Sequence, residues 1–343
     1  IVKNDYKALL VNLLYLVWQP FFEGWVLWID SFLPLFLLPA FYFLYKKNLF
    51  ISGLLIGLAI IFKQTIIPLS ILIFLYILWS EKNLNKTSGY LLGLTPPIIL
   101  MILYFAWMGV FSDFWYWTVT FNLTVYALSG TQIPTSWGFI TRVLVVYGAS
   151  LSGLFYKDKK VRIILSLFLI GSLVGAFDRA NFVHFQPSLP FVVMATALGV
   201  YSLKKKMAFI LIGFYITVTI WWQNIFYNIK DVASSAYKGH ISDKIFFFDE
   251  STYGIAGKIM EYTNPGDKIF VFGAAPHLYQ MSQTLPAGDI FVFQFPWFLK
   301  VAEDRILEGI KKDRPEIIVS DRTVKIEDQL ISDFAKKIDQ YIQ

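Results

Sequence analysis

Basic residues punctuate the first two thirds of this chain at every second break between apolar runs. Sixteen Lys and Arg lie in residues 1–226. Thirteen of them fall in those breaks: Lys3 and Lys7, Lys46 and Lys47, Lys82 and Lys86, Lys157, Lys159, Lys160 and Arg162, and Lys204 to Lys206. Short loops rich in Lys and Arg stay cytoplasmic, so this alternation fixes the orientation of a chain that crosses a membrane several times. It predicts that the intervening breaks face the other side. Those breaks hold Lys63, Arg179 and, after the last apolar run, the final hundred or so residues. Arg142 is the one remaining cation of this region.

The composition agrees. The 343 residues are 56% hydrophobic and 16% charged, with a mean hydropathy of +0.56, too apolar for an ordinary soluble protein. The formal charge of +6 divides unevenly. Residues 1–226 carry 16 basic and 7 acidic groups, and residues 227–343 carry 14 and 17. The excess of positive charge therefore belongs to loops lying against anionic lipid, which argues against a nucleic-acid partner. With no cysteine, neither disulfides nor thiol chemistry is available.

Apolar runs at 7–22, 26–45, 50–62, 65–79, 89–108, 137–156, 161–177, 187–202 and 207–226 predict about nine spans, an all-α polytopic bundle. The stretch 49–79 reads either as one long helix with Lys63 at its middle or as a hairpin of two short spans. One span would place Lys82, Lys86, the 157–162 cluster and Lys204 to Lys206 opposite Lys46 and Lys47, so the loop charges select the hairpin, with its tip at Phe62-Lys63-Gln64-Thr65. The aromatic segment 109–136 is expected to lie along the interface. Residues 227–248 read as a linker, and 249–343 as a small α/β domain on the extracytoplasmic side. In that domain helices are expected at 252–263, 297–312 and 327–342, a helical turn at 277–283, and strands at 268–272, 289–293 and 316–320 of a mostly parallel sheet.

Lys63 is the sharpest candidate for chemistry. An ammonium at hydrocarbon depth costs roughly 2.5–3.5 kcal/mol on insertion scales, so such groups have a partner and a task. The flanking segments of its own hairpin offer no counter-ion; a phosphate headgroup would be one, whereas a lysine snorkelling to lipid is the plain alternative. The second candidate is Asp178-Arg179-Ala-Asn-Phe-Val-His184-Phe-Gln186, where Arg and His suit phosphate or sugar oxygens and an Asp178–Arg179 pair is the alternative. The third is Glu23 with Asp30. Two carboxylates on one helical approach suit a metal or an acceptor hydroxyl, against a turn plus one polar group paired inside the bundle. Neither a nucleotide-binding glycine loop nor zinc spacing of His and Cys occurs.

Three segments together resemble the GT-C glycosyltransferases that use polyprenyl-phosphate-linked sugars, a class including protein O-mannosyltransferases and the lipid A aminoarabinose transferases. They are the glycine-rich Gly53-Leu-Leu-Ile-Gly57-Leu-Ala-Ile-Ile-Phe-Lys63-Gln64-Thr, Arg179 followed by His184-Phe-Gln-Pro-Ser-Leu-Pro190, and Pro265-Gly-Asp-Lys-Ile-Phe-Val-Phe-Gly273 followed by Pro276-His-Leu-Tyr279. The resemblance implies a multi-pass plasma-membrane enzyme moving a sugar from lipid phosphate to an acceptor hydroxyl of a protein, lipid or glycan. It would place Lys63, Gln64, Arg179 and His184 at the lipid phosphate, and Glu23, Asp30 and Asp178 as acids of the cavity. It leaves room for a divalent metal as cofactor. The acid that serves this family as catalytic base lies in its first outer loop, and the chain is expected to begin after that point. No residue here is therefore assigned as the base. A transporter or lipid flippase, and a non-catalytic scaffold with an outer binding domain, are the competing readings.

Overall fold

The computed structural model describes residues 5–24, 28–82, 84–126, 136–176, 180–203, 207, 210–214, 217–218, 250–273, 275–291, 295–326 and 328–343. The chain forms two compact units, Ile1–Ser234 and Ser235–Gln343. The expected linker 227–248 and most of the expected span 207–226 lie outside the described residues.

The first unit is helical. Its elements are α1 (Asp5–Trp18), α2 (Ile29–Phe32), α3 (Pro34–Tyr45), α4 (Leu49–Phe62), α5 (Ile67–Glu81), α6 (Leu84–Trp107), α7 (Phe111–Trp115), α8 (Trp137–Ser150), α9 (Lys159–Leu173) and α10 (Leu189–Ser202). Three helical stretches among the described residues are long and apolar enough to cross a membrane: Gln64–Glu81, Thr87–Trp107 and Trp137–Phe155. Four shorter apolar stretches, Ala8–Phe22, Ile29–Tyr45, Leu49–Phe62 and Leu189–Ser202, accompany them. In place of a uniform set of spans, the unit thus mixes three long helices with shorter ones. Proline accounts for part of this. Pro34 opens α3, and Pro190 stands in the first turn of α10, where a missing N–H costs least. α10 is apolar on all sides and mostly buried, the expected pattern for a helix enclosed by others. After α7 the aromatic segment continues as π-helical turns over Tyr116–Thr120 and Asn122–Tyr126, with Trp115 and Tyr116 exposed.

Between Phe62 and Ile67 the chain breaks, as the loop charges required. Lys63 takes an extended conformation (φ −157°, ψ 121°) and Gln64–Ile66 form a single 3₁₀ turn. Pro68 supplies a further cause: in an uninterrupted helix its ring would strike the carbonyl of residue 64 and it could donate no hydrogen bond. At the break it stands in the first turn of α5.

α4 lies close on α6. A Cβ on Gly53 would collide with the Tyr90 carbonyl oxygen, one on Gly57 with that of Leu94, and one on Gly93 with that of Phe50. Small residues four apart let two backbones approach inside a membrane, where dispersion and polar contacts replace the hydrophobic drive. Buried hydroxyls tie each of these helices to a neighbour: Ser52 Oγ of α4 donates to the Ala40 carbonyl of α3 at 3.0 Å, and the Ser70 hydroxyl of α5 lies 3.1 Å from the Tyr90 hydroxyl of α6. The core around them includes Leu37, Phe41, Ile56, Ile73, Phe168 and Phe191.

The second unit is a small α/β domain. Its elements are α11 (Glu250–Tyr262), β1 (Lys268–Phe272), α12 (His277–Met281), β2 (Leu285–Pro286), α13 (Pro296–Asp313), β3 (Ile318–Ser320), β4 (Lys325–Ile326), β5 (Gln329–Leu330), α14 (Ile331–Phe334) and α15 (Lys336–Ile342). β1 is central and parallel to both neighbours, with Ile269 opposite Pro286 and Val271 opposite Val319. Strand alternation sends Phe270 and Phe272 to one face, against Leu299, Ala302, Ile306 and Ile338. Ile269 and Val271 meet Ala256, Ile259, Leu278 and Tyr279 on the other.

Two expectations fail here. The second strand is Leu285–Pro286; of the expected 289–293, residues 289–291 form no strand and 292–293 lie outside the described residues. Gly288 and Asp289 both have positive φ (79° and 58°), so the chain turns just before the apolar run that begins at Ile290, and Gly288 packs against Gly309 of α13. The closing helix does not start at 327. A hairpin of β4 and β5, turning through Asp328 at φ 63°, precedes it, and Ala335 (φ −99°, ψ 47°) divides the helix into α14 and α15.

Candidate functional site

Three side chains from distant parts of the first unit meet at the α4–α5 break. Lys63 Nζ lies 2.6 Å from both carboxylate oxygens of Asp30 and 3.1 Å from His184 Nδ1. The remaining edge is longer, with His184 Nδ1 3.6 Å from Asp30 Oδ2. An ammonium only donates, so Nδ1 is the acceptor and a neutral His184 ring carries its proton on Nε2. The Asp30 side chain is 7% exposed, against 20% for Lys63 and 19% for His184. The carboxylate is thus the buried member, and the two nitrogen bases form the accessible rim.

Each member is held by its own element. Asp30 sits in the first turn of α2, one turn before the buried Leu33. Lys63 is fixed by the break, whose Phe62 ring packs 4.9 Å from Phe36. His184 rides on a 3₁₀ turn, Phe182–Phe185, wedged among aromatic rings. Phe182 lies 4.8 Å from Phe139 and 5.7 Å from Phe22, and Phe185 lies 5.4 Å from Tyr147. The buried Gln186 amide anchors the end of that turn, donating to the Phe22 carbonyl at 2.6 Å and the Gln19 carbonyl at 3.1 Å.

Arg142 braces the same turn, a role the sequence did not suggest. Its guanidinium lies 4.3 Å from the Phe182 ring centre and 5.3 Å from that of Phe21. It also donates to the Phe21 carbonyl at 2.8 Å. The available signal was its place as the single charge in the run 137–156, since a charge at that depth calls for partners. Cation–π contact and a carbonyl supply them.

The other sequence candidates fall elsewhere. Glu23 ends the turn after α1 in a left-handed conformation (φ 58°), and its charge acts on Arg142. Gln64 is engaged elsewhere, its Nε2 donating to the Thr118 carbonyl at 3.4 Å. Asp178 and Arg179 lie outside the described residues. The counter-ion for Lys63 comes from α2, outside its own hairpin. Among the described residues no three His, Asp or Glu gather as a metal site.

Chemically the cluster is a charge-neutral Asp–Lys pair with an imidazole on its open side, set in a helical unit apolar enough to enter a membrane. No family model matches the sequence, and comparison with curated proteins and with solved structures finds no match.

Proposed function

We propose that this chain is a GT-C-like glycosyltransferase of the plasma membrane that takes a sugar from a polyprenyl phosphate and passes it to an acceptor hydroxyl on the extracytoplasmic side. The meeting of Lys63, His184 and Asp30 at a helix break is the observation that carries the reading. In it the remaining short apolar helices complete a multi-pass bundle of about nine spans, and the second unit lies outside the cell. Lys63 and His184 take the phosphate oxygens, and their donors stabilise the charge that grows on the phosphate as the sugar departs. Asp30 holds Lys63 aimed and supplies its counter-ion in a medium that disfavours a lone ammonium. Both Asp30 oxygens already accept from Lys63, so Asp30 is a positioning residue here and not the base that activates the acceptor.

The test uses the full chain in lipid nanodiscs and a polyprenyl phosphate without sugar. The wild type should bind it. Lys63→Ala should weaken binding by roughly ten- to a hundredfold, the range for hydrogen bonds to a charged group. Equal binding by the two proteins would remove the reading.

One observation favours a second reading. All three Lys63 donors have acceptors within the cluster, and neutral Asp–Lys–His chains inside membranes also serve as proton relays in transporters. Absence of polyprenyl-phosphate binding, together with a proton flux into proteoliposomes that Asp30→Asn abolishes, would establish that alternative.

A further inference from the structure

We infer that a cavity at the other end of α4 is a binding site for the phosphate headgroup of an anionic phospholipid. It lies where the α3–α4 turn, the end of α5 and the start of α9 converge. A space of about 510 Å³ is lined by Lys46, Lys47, Asn48, Phe50 and Glu81. A second of about 130 Å³ shares Lys47 and Glu81 and adds Lys160. The volumes suit a headgroup.

Charge points to an anion. Lys47 pairs with Glu81 at 2.8 Å. Asp158 is occupied by the first turn of α9, its Oδ1 accepting from the backbone N–H groups of Lys160 and Val161. Lys46 and Lys160 have no carboxylate within ion-pair distance among the described residues. Their ammonium groups are held by a carbonyl and by aromatic rings, which carry no formal charge. Lys160 Nζ donates to the Tyr45 carbonyl at 2.5 Å and lies 4.7 Å from that ring's centre, while Lys46 Nζ lies 5.7 Å from the Tyr42 ring. The first turn of α4 borders the same cavity and adds the positive end of its dipole. Basic pockets between helices at a membrane surface take acidic headgroups, and this end carries the loop lysines that the sequence assigns to the cytoplasmic leaflet. The site is independent of the Lys63 cluster, with the length of α4 between them.

Native mass spectrometry of the full chain, taken from mixed nanodiscs of phosphatidylglycerol and phosphatidylcholine, tests this. The wild type should retain phosphatidylglycerol preferentially. Lys46→Gln with Lys160→Gln should lose that preference by roughly fivefold per lysine, whereas Lys157→Gln with Lys159→Gln, the same charge change at residues just before Lys160 that do not line the cavity, should keep it. If the Lys160 variant fails to fold, Lys46→Gln alone should show the fivefold loss. Equal losses in both double variants, or retention by the first, would overturn the site. Inorganic phosphate binding at millimolar concentration with no preference for phosphatidylglycerol would overturn the lipid assignment.

Discussion

Lys63 has its three donors directed at three acceptors, two of them on one carboxylate. Removing one member of a buried ion pair leaves the other uncompensated, which costs about 3–5 kcal/mol, whereas replacing both with neutral groups of similar shape is often tolerated. The exposures make the two single changes unequal. Lys63→Met strands a carboxylate that is 7% exposed, while Asp30→Asn leaves an ammonium that is 20% exposed and can reach water. Thermal unfolding in detergent should rank Lys63→Met as the less stable single variant. The double variant should recover most of the loss and still fail to bind polyprenyl phosphate. A double variant as unstable as the sum of its parents would show that the pair is not coupled.

At the scale of the elements, α4 against α6 is the contact most open to test. Leucine at Gly57 would drive a side chain into the Leu94 carbonyl, and leucine at Gly138, where a Cβ meets nothing within 4 Å, would not. Overpacking of this kind costs about 1–3 kcal/mol. Gly57→Leu should therefore lower the melting temperature and displace Lys63 at the far end of α4, while Gly138→Leu leaves both unchanged. Much here was legible in the chain. Loop charges located the break at Lys63, and the depth of an isolated ammonium marked it as a site. Lys63, His184 and Asp30 were each named from local sequence. The pairing of Lys63 with Asp30 was not readable, because the partner sits 33 residues away on another helix and only tertiary packing joins them. In the second unit the run Ile290-Phe291-Val292-Phe293 looked more like a strand than Leu285-Pro286 did. The described part of that run, Ile290 and Phe291, pairs with no strand, and the turn at Gly288 and Asp289 before it rests on positive φ, of which hydrophobicity carries no record.

Over the whole molecule the two units respond to different conditions. In the second, the Asp313 carboxyl is held below the usual carboxylate range by the Gly288 N–H at 2.8 Å and by Lys268. Asp339 is held low by Arg322 and then by Gln343. As pH falls, the open chain takes up these protons before the folded chain does. The stabilisation is thus complete above the ordinary carboxylate value of about 4 and disappears as pH drops through the lower folded values. Hydrogen exchange on the full chain should show β1 and α13 losing protection below about pH 4, with Asp313→Asn less protected than wild type at neutral pH and flatter in acid. In the first unit the governing variable is thickness. The 14 residues of α4 rise only about 21 Å, while hydrocarbon is about 30 Å deep. In the proposed arrangement, with the basic end of α4 among headgroups, the opposite leaflet would dimple to wet Lys63 or the prenyl phosphate would sink to meet it. If the proposed transferase reading holds, short-chain bilayers should speed turnover and long-chain ones slow it, so that the surrounding lipid's acyl length acts as a rheostat on the site.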